Sequence, residues 1–154
     1  MSRAVPILII TLSLAGLADS LYFTFAYYGR IKKARWVPEI LCAREGSSCV
    51  TVVQTPYARV FGIPNSLLGI AYYLAVMLWL PWPGNVHGAE EYAYFFLFLT
   101  GTLVLASTVS VVLGCYLIYA LRCKLHVDCP LCYTAHAINV VLFALLIVVC
   151  HASL

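Results

Sequence analysis

Charged side chains are scarce in this chain of 154 residues: Asp, Glu, Lys and Arg together make up 10% of it, against about 25% in a typical soluble domain. Hydrophobic residues make up 64%. This composition excludes an ordinary soluble domain and indicates an integral membrane protein. The net charge is only +3, with basic residues interspersed among apolar ones, which argues against a nucleic-acid-binding surface. Internal repeats and low-complexity tracts are also lacking, so we expect one domain, 1–154.

Long apolar runs dominate the rest of the sequence. A helix needs about 20 mostly apolar residues to cross a bilayer. Four stretches reach or approach that length, namely 4–28, 65–82, 92–121 and 130–154. The first is longer than the apolar part of a signal peptide and is followed by no convincing small-residue cleavage site, so we expect a true span. The sequence therefore predicts an all-α, multi-pass membrane protein built as a four-helix bundle.

The connections between these spans differ in length. Residues 81–88 form a short Pro- and Gly-rich turn, whereas the first connection, 29–64, is long enough to hold structure of its own. Its later half spaces apolar residues at roughly helical intervals, but Pro56 argues against one continuous helix. We predict two short pieces that lie on the bundle as a lid, with Ser47 or Ser48 as the helix N-cap.

Four of the seven cysteines fall into two pairs. Cys42 and Cys49 lie in the first connection, and Cys129 and Cys132 form a CxxC motif where the fourth span begins. In an antiparallel bundle the first and third connections lie on the same side of the membrane. We therefore expect all four thiols at one face.

The position of the CxxC motif favours reactive thiols. Pro130 suits the first position of a helix, which makes Cys129 N-cap-like, and a helix N-terminus lowers a cysteine pKa. Cys132, one turn inside, points toward the bilayer, where a lipid-soluble oxidant or reductant can reach it. Together with Cys42 and Cys49, the motif predicts a relay from a soluble dithiol to a membrane acceptor.

Other interpretations of the cysteines stay open. The four paired thiols can close a zinc site, as in a metal-binding membrane protein or transporter. Cys42 and Cys49 can also form a static loop disulfide. Cys115 and Cys150 fall in apolar spans, where a buried cysteine behaves as a small hydrophobe. Cys123, between two basic residues, is interpreted as a spare thiol.

Three motifs, in order along the chain, match one family. Cysteines 42 and 49 are seven positions apart, residues 61–69 read FGIPNSLLG, and CPLC at 129–132 is followed by Ala-Ile-Asn at 137–139. In these motifs the chain resembles the vitamin K epoxide reductase family, four-helix membrane enzymes that couple quinone reduction to disulfide formation. A bacterial quinone-coupled disulfide oxidase, unrelated in sequence, carries one cysteine pair in each of two exposed loops. A CxxC at the opening of the fourth span favours the first family.

The resemblance implies a role for each matching residue. Cys132 would react with the quinone, and Cys129 would be its resolving partner. Cys49 would exchange with Cys129, and Cys42 would meet an external thiol protein. Asn65 matches an asparagine that hydrogen-bonds a quinone carbonyl, although it is also placed to cap the second span. The cofactor would be a menaquinone- or ubiquinone-type quinone, and we expect a separate thioredoxin-fold partner because no such domain is fused.

Two ionisable residues, His136 and Asp19, lie within the predicted spans. His136 stands where the vertebrate enzymes have a tyrosine, one helical turn below Cys132, and can donate a hydrogen bond or a proton to a quinone oxygen. The alternative is a histidine that only joins helices. This departure leads us to expect quinone reduction and leaves epoxide reduction open. Asp19 should face the bundle interior and bond Ser20 or Asn139, with quinone contact as the alternative.

The distribution of basic residues predicts an orientation. Eight Lys and Arg residues lie on the cysteine face against only Arg3 on the other, so the positive-inside rule predicts a cytoplasmic cysteine face. The eight are Arg30, Lys32, Lys33, Arg35, Arg44, Arg59, Arg122 and Lys124. Members of the resembling family usually place this face outside the cytoplasm. Cytoplasmic disulfides occur in hyperthermophiles, and Asn and Gln are few, so we also expect a thermophilic source.

Overall fold

Four long helices dominate the computed structural model, which describes residues 4–30, 49–80 and 90–153. They are α1 (Ala4–Tyr27), α3 (Asn65–Trp79), α4 (Glu90–Tyr119) and α5 (Pro130–Ser153). A short helix α2 (Cys49–Gln54) and a 3-10 helix (Pro56–Ala58) precede a two-stranded hairpin of β1 (Arg59–Val60) and β2 (Ile63–Pro64). Cys42, Ser47, Ser48 and the turn predicted at 81–88 lie outside the described residues.

Among the described residues, three helices are long and apolar enough to cross a membrane: Ala4–Tyr27, Leu97–Leu125 and Pro130–His151. The expectation of an all-α membrane protein is therefore confirmed. The helix that corresponds to the second predicted span, α3, has 15 residues and ends earlier than position 82.

The third long helix continues past its predicted end at residue 121. Ala120–Leu125 is wound as a π-helix that follows α4 directly. It ends where His126 adopts a left-handed conformation, with φ 52°, and its backbone N–H bonds the carbonyl of Leu121. Sequence periodicity does not signal this wider winding, which often marks functional sites. Here it carries the chain from α4 to the beginning of α5.

Small residues let the helices approach closely, as is common in membrane bundles. A Cβ atom at Gly16 of α1 would collide with the ring of Tyr73 in α3, and a Cβ atom at Gly69 would lie 2.5 Å from Oγ of Ser20. The core beside these contacts joins α1, α3, α4 and α5. Its buried members are Ile9, Tyr73, Val76, Trp79, Leu103, Ile138, Leu142, Leu146 and Val149.

The lid was predicted as two short pieces, and the structure confirms α2 and the 3-10 helix on either side of Thr55. Nε2 of Gln54 donates a hydrogen bond to the carbonyl of Tyr27 over 2.9 Å, which ties the end of α2 to the end of α1. The roughly helical spacing of the later half of the first connection does not continue as a helix beyond Ala58. Positive φ angles of 50° at Phe61 and 82° at Gly62 turn the chain back on itself, so a hairpin forms there instead.

Candidate active site

The two CxxC sulfurs lie next to each other at the beginning of α5. The thiol of Cys132 donates a hydrogen bond to Sγ of Cys129, with 2.6 Å between the sulfurs, and the backbone N–H of Cys132 points at the same atom over 3.4 Å. Cys129 immediately precedes Pro130, the first residue of α5. The side chain of Cys129 therefore occupies the N-cap position expected from the sequence, and the pair can close into a disulfide with little movement.

These contacts make the two thiols unequal. The hydrogen bond from the Cys132 thiol lowers the pKa of Cys129, assisted by the backbone N–H groups of Cys132 and Leu131. Burial opposes this effect, and so does a charge on Asp19 when that carboxyl is ionised. Since the lowering effects outweigh the raising ones, Cys129 is the member of the pair that ionises first and is ready for thiol–disulfide exchange.

Cys129 is enclosed by the lid. Its side chain has 0% exposure and belongs to a buried cluster with Phe23 and Ala26 of α1 and Val53 of α2. The resemblance implies that Cys129 exchanges with Cys49 of the lid, and the structure adds that the lid covers Cys129 and seals it from solvent. A reagent from the aqueous phase reaches this sulfur only if α2 moves, or if the exchanging thiol belongs to the lid itself.

A second group of side chains holds the end of the π-helix beside α5. The hydroxyl of Tyr133 accepts a hydrogen bond from Nε of Arg122 over 3.4 Å and donates one to Asp128 over 3.1 Å. The guanidinium of Arg122 also lies 5.4 Å from the centre of the Tyr133 ring. These contacts hold the residues on both sides of the CxxC motif in place.

A cavity of about 670 Å³ lies between the long helices and beneath the lid. This volume is within the range of small-molecule binding sites. Its walls are largely apolar, with a few polar side chains. The principal ones are Asp19, Ser20, Asn65, Tyr72, Tyr73, Ser110, Cys132, His136 and Asn139. Cys132 is therefore the CxxC member that opens on the cavity, whereas Cys129 lies under the lid.

One face of α5 supplies three of these polar groups. Cys132, His136 and Asn139 follow each other at intervals of four and three residues, so they line one stripe of the helix. Gly114 of α4 makes room for the imidazole, because a Cβ atom there would lie 2.8 Å from Nδ1 of His136. That Nδ1 is buried and has no hydrogen-bond partner among the described residues. The ring thus has an unused polar atom at the cavity.

Asn65 offers a second unused polar atom. Its Nδ2 lies 3.4 Å from the carbonyl of Tyr57, and its Oδ1 is buried without a hydrogen-bond partner in the described part of the chain. The alternative role as an N-cap is wrong, since Pro64 occupies that position and no side chain caps α3. The amide has two N–H donors, of which one remains for a ligand.

A polar chain that the sequence did not reveal crosses the bundle beside the cavity. Tyr73 of α3 donates a hydrogen bond to Oδ1 of Asn139 over 2.7 Å, and Nδ2 of Asn139 lies 2.9 Å from Oγ of Ser110 in α4. The presence of polar residues within apolar spans was its only sequence signal. No hydrogen bond joins Asp19 to Asn139 among the described residues, so the predicted bond between them is wrong. Asp19 does not bond Ser20 either, and its carboxyl has no hydrogen bond to the described residues.

Cys49 is the first residue of α2, and Cys42 lies outside the described residues. Cys115 is on the outer surface of the bundle and not in the core as expected, because its side of α4 faces away from the other helices. Within the described ranges, no group of three or more His, Cys, Asp or Glu side chains is placed to hold a metal ion. The four-thiol metal site depends on Cys42 and is not tested there.

Comparison with known protein families gives one match. The model of the Vitamin K epoxide reductase family aligns with residues 7–147, which is nearly the whole chain and includes both members of the CxxC motif. The alignment also includes every polar group named in the cavity wall. A search of curated proteins finds no match.

Proposed function

The chain belongs to the vitamin K epoxide reductase family of membrane quinone-linked disulfide oxidoreductases, and from this premise we propose that it reduces a quinone with electrons delivered by thiols at its lid. One observation carries the proposal: hydrogen-bonded sulfurs 2.6 Å apart face different surroundings. Cys132 lines the apolar cavity, and Cys129 is buried under α2. The pair thus separates a lipid-soluble oxidant from water-soluble thiols.

The cavity suits a quinone headgroup in size, in its apolar walls and in its unused polar atoms. When bound, a quinone accepts two electrons and two protons. Cys132, which lies at the cavity wall, is the sulfur that gives up electrons to the quinone. Asn65, through the amide N–H that is not directed at Tyr57, and His136, through its buried ring, hold the carbonyl oxygens by hydrogen bonds. A ring without charge is recognised by such donors and by apolar contact. Menaquinone and ubiquinone types both meet these requirements.

Electrons reach the CxxC motif through the lid. Cys49 begins α2 and precedes Val53, which packs on Cys129, by one helical turn. The proposed exchange between Cys49 and Cys129 thus takes place within the lid and the start of α5, with α2 as the element that moves. Cys42 takes electrons from outside and passes them to Cys49. A thioredoxin-fold protein is the proposed source, since the burial of Cys129 favours a dithiol that reacts with the lid first.

Membrane topology forms part of the same proposal. We assign α3 as the second of four spans. Arg30, Arg59, Arg122 and Lys124 lie in segments at the CxxC end of the bundle, and this supports a cytoplasmic redox face. A redox face that makes disulfides in the cytoplasm in turn suggests a thermophilic source. Alkaline phosphatase fused within residues 31–48 tests this orientation. Because that enzyme is active only outside the cytoplasm, low activity is expected, and high activity would reverse the assignment.

Purified protein that turns over dithiothreitol and a short-chain ubiquinone provides the direct test of function. Cys132→Ala should abolish quinone reduction, whereas Cys42→Ala should retain it, because a small membrane-permeant dithiol does not need the outer lid thiol. Both reactions are followed by quinone absorbance. Full activity of Cys132→Ala would refute the mechanism. The same outcome would also remove the reason for the separate roles of the two sulfurs.

A further inference from the structure

In the proposed reaction, the CxxC pair supplies only one of the two protons that reduction of the quinone consumes. Oxidation of two thiols to a disulfide releases two electrons and two protons, and reduction of a quinone consumes two of each. Cys132 carries one of these protons, which it donates in the hydrogen bond to Cys129. Cys129 lies under the lid and not at the cavity wall, and its sulfur accepts that bond and a second one from a backbone N–H, so it offers no proton to the cavity. A second proton must therefore be stored at the cavity.

Asp19 is the carboxyl group in the right place. It lies on α1 and lines the same cavity as Cys132. It interacts electrostatically with both CxxC sulfurs, with Tyr22 and with Tyr73. No Lys or Arg of the described ranges lines the cavity, and no described residue forms a hydrogen bond to this carboxyl. An ionised carboxylate in apolar surroundings without a counter-ion is costly, whereas the neutral acid fits.

The other titratable groups at this wall are less suited to the task. The hydroxyl of Tyr73 is already engaged as the donor to Asn139. His136 gives up a proton readily only from its cationic form, and a buried cation without a partner is costly in this cavity. As a neutral ring, it still donates a hydrogen bond to the quinone.

We propose that Asp19 stores the second proton and delivers it during quinone reduction, an inference that rests on the proposed function. The Cys129 thiolate and the Cys132 thiol form the disulfide and give up two electrons. The Cys132 thiol and the Asp19 carboxylic acid supply the two protons, so that quinone becomes quinol and Asp19 becomes a carboxylate. One negative charge is present before the step, on sulfur, and one afterwards, on Asp19. When lid thiols reopen the disulfide, the proton they release in excess returns to Asp19.

Asp19→Asn removes the stored proton with little change in shape. The CxxC motif is reduced with dithiothreitol, the reductant is removed, and quinol formation from a short-chain ubiquinone is followed in a single turnover. We expect a rate about a hundredfold lower, which is the lower end of the usual contribution of acid catalysis. Quinone affinity, measured by tryptophan fluorescence quenching, should be unchanged. Asp19→Glu should restore most of the rate, and Ser13→Ala, on the same helix but away from the cavity, should behave as wild type.

The outcomes separate this inference from the proposed function. A wild-type rate for Asp19→Asn, together with a lost reaction in Cys132→Ala, would overturn the role of Asp19 alone. A retained reaction in Cys132→Ala would overturn the function itself. Loss of both affinity and rate in Asp19→Asn, without rescue by Asp19→Glu, would show a structural role and also overturn the inference.

Infrared spectroscopy of the unmodified protein gives an independent test, which holds even if the variant does not fold. The chain has two aspartates, Asp19 and the exposed Asp128, so isotope-labelled aspartate marks few groups. The reduced-minus-oxidised spectrum should contain the band of a protonated, labelled carboxyl in the reduced state. Asp128→Asn should keep this band. Its absence from the reduced wild-type protein would overturn the inference.

Discussion

The thiol of Cys132 donates a hydrogen bond to the sulfur of Cys129 over 2.6 Å, and this contact makes the two sulfurs chemically unequal. It stabilises the charged form of Cys129 at the N-terminus of α5, under the lid, and leaves the proton on the sulfur that lines the cavity. The sulfur that leaves readily as a thiolate, when the lid thiols reduce the CxxC disulfide, is thus placed toward the lid. The sulfur that meets the quinone is placed toward the membrane interior.

Changing the donor should change the titration of Cys129. Cys132→Ala removes the strongest of the contacts that lower the pKa of Cys129, so that pKa should rise and the thiolate should form only at higher pH. Cys132→Ser retains an O–H donor and should preserve more of the lowering. Thiolate absorbance against pH, in proteins whose other cysteines are replaced by alanine, measures the difference. Superimposable curves for the two variants would contradict the assigned cause.

The lid should control access to Cys129. Val53→Ala removes part of the apolar cover that packs on this sulfur, about 1 to 2 kcal/mol of burial, and so should raise the opened population of α2 about tenfold. Alkylation of Cys129 by a membrane-impermeant reagent, followed by mass spectrometry, should accelerate by a similar factor. Val112→Ala, the same change at an exposed position of α4 away from the lid, is the matched control. Equal acceleration in both variants would indicate general loosening instead.

The polar chain between helices should contribute to stability. Tyr73→Phe removes the hydroxyl that donates to Asn139 and leaves a buried acceptor, which should lower the free energy of unfolding by about 1 kcal/mol. Tyr116→Phe, at an exposed position on α4, should have no comparable effect. Thermal unfolding in detergent compares the two. If both variants unfold like wild type, the bond contributes nothing measurable to the bundle.

The sequence predicted well those features that depend only on local residue patterns. The apolar runs indicated the long helices, and Pro130 after Cys129 indicated where α5 begins. Pairings between helices were not predictable, because a bond such as Tyr73 to Asn139 joins residues 66 positions apart and depends on the rotation of each helix. For the same reason Asp19 was paired with Asn139, a partner that Tyr73 and Ser110 engage instead.

The sequence pattern also did not predict structural features that are unrelated to the spacing of apolar residues. The apolar spacing that continued to Phe61 favoured a helix, but the positive φ at Gly62 and the pairing of Val60 with Ile63 produce a hairpin. The space opposite His136 depends on Gly114 of another helix. A single sequence does not show which glycine faces which side chain, since that requires the packing of α4 against α5.

Filling that space should displace the imidazole. In Gly114→Ala the new Cβ atom would lie 2.8 Å from Nδ1 of His136, closer than side chains tolerate, so the ring must move or the helices must separate. Such overpacking costs about 1 to 3 kcal/mol. If His136 holds a quinone oxygen, the apparent KM for quinone should rise about tenfold, which corresponds to about 1.4 kcal/mol of lost binding. Steady-state kinetics with dithiothreitol measures this change.

Two further variants decide whether the imidazole carries the effect of Gly114→Ala. Gly101→Ala, on the same helix with nothing within 4 Å of the new Cβ atom, should leave the KM for quinone unchanged. His136→Ala should raise the KM by itself, and adding Gly114→Ala to it should raise the KM no further, because the clash has been removed. A double variant whose KM is the product of both single effects would mean that Gly114 acts on the cavity independently of His136.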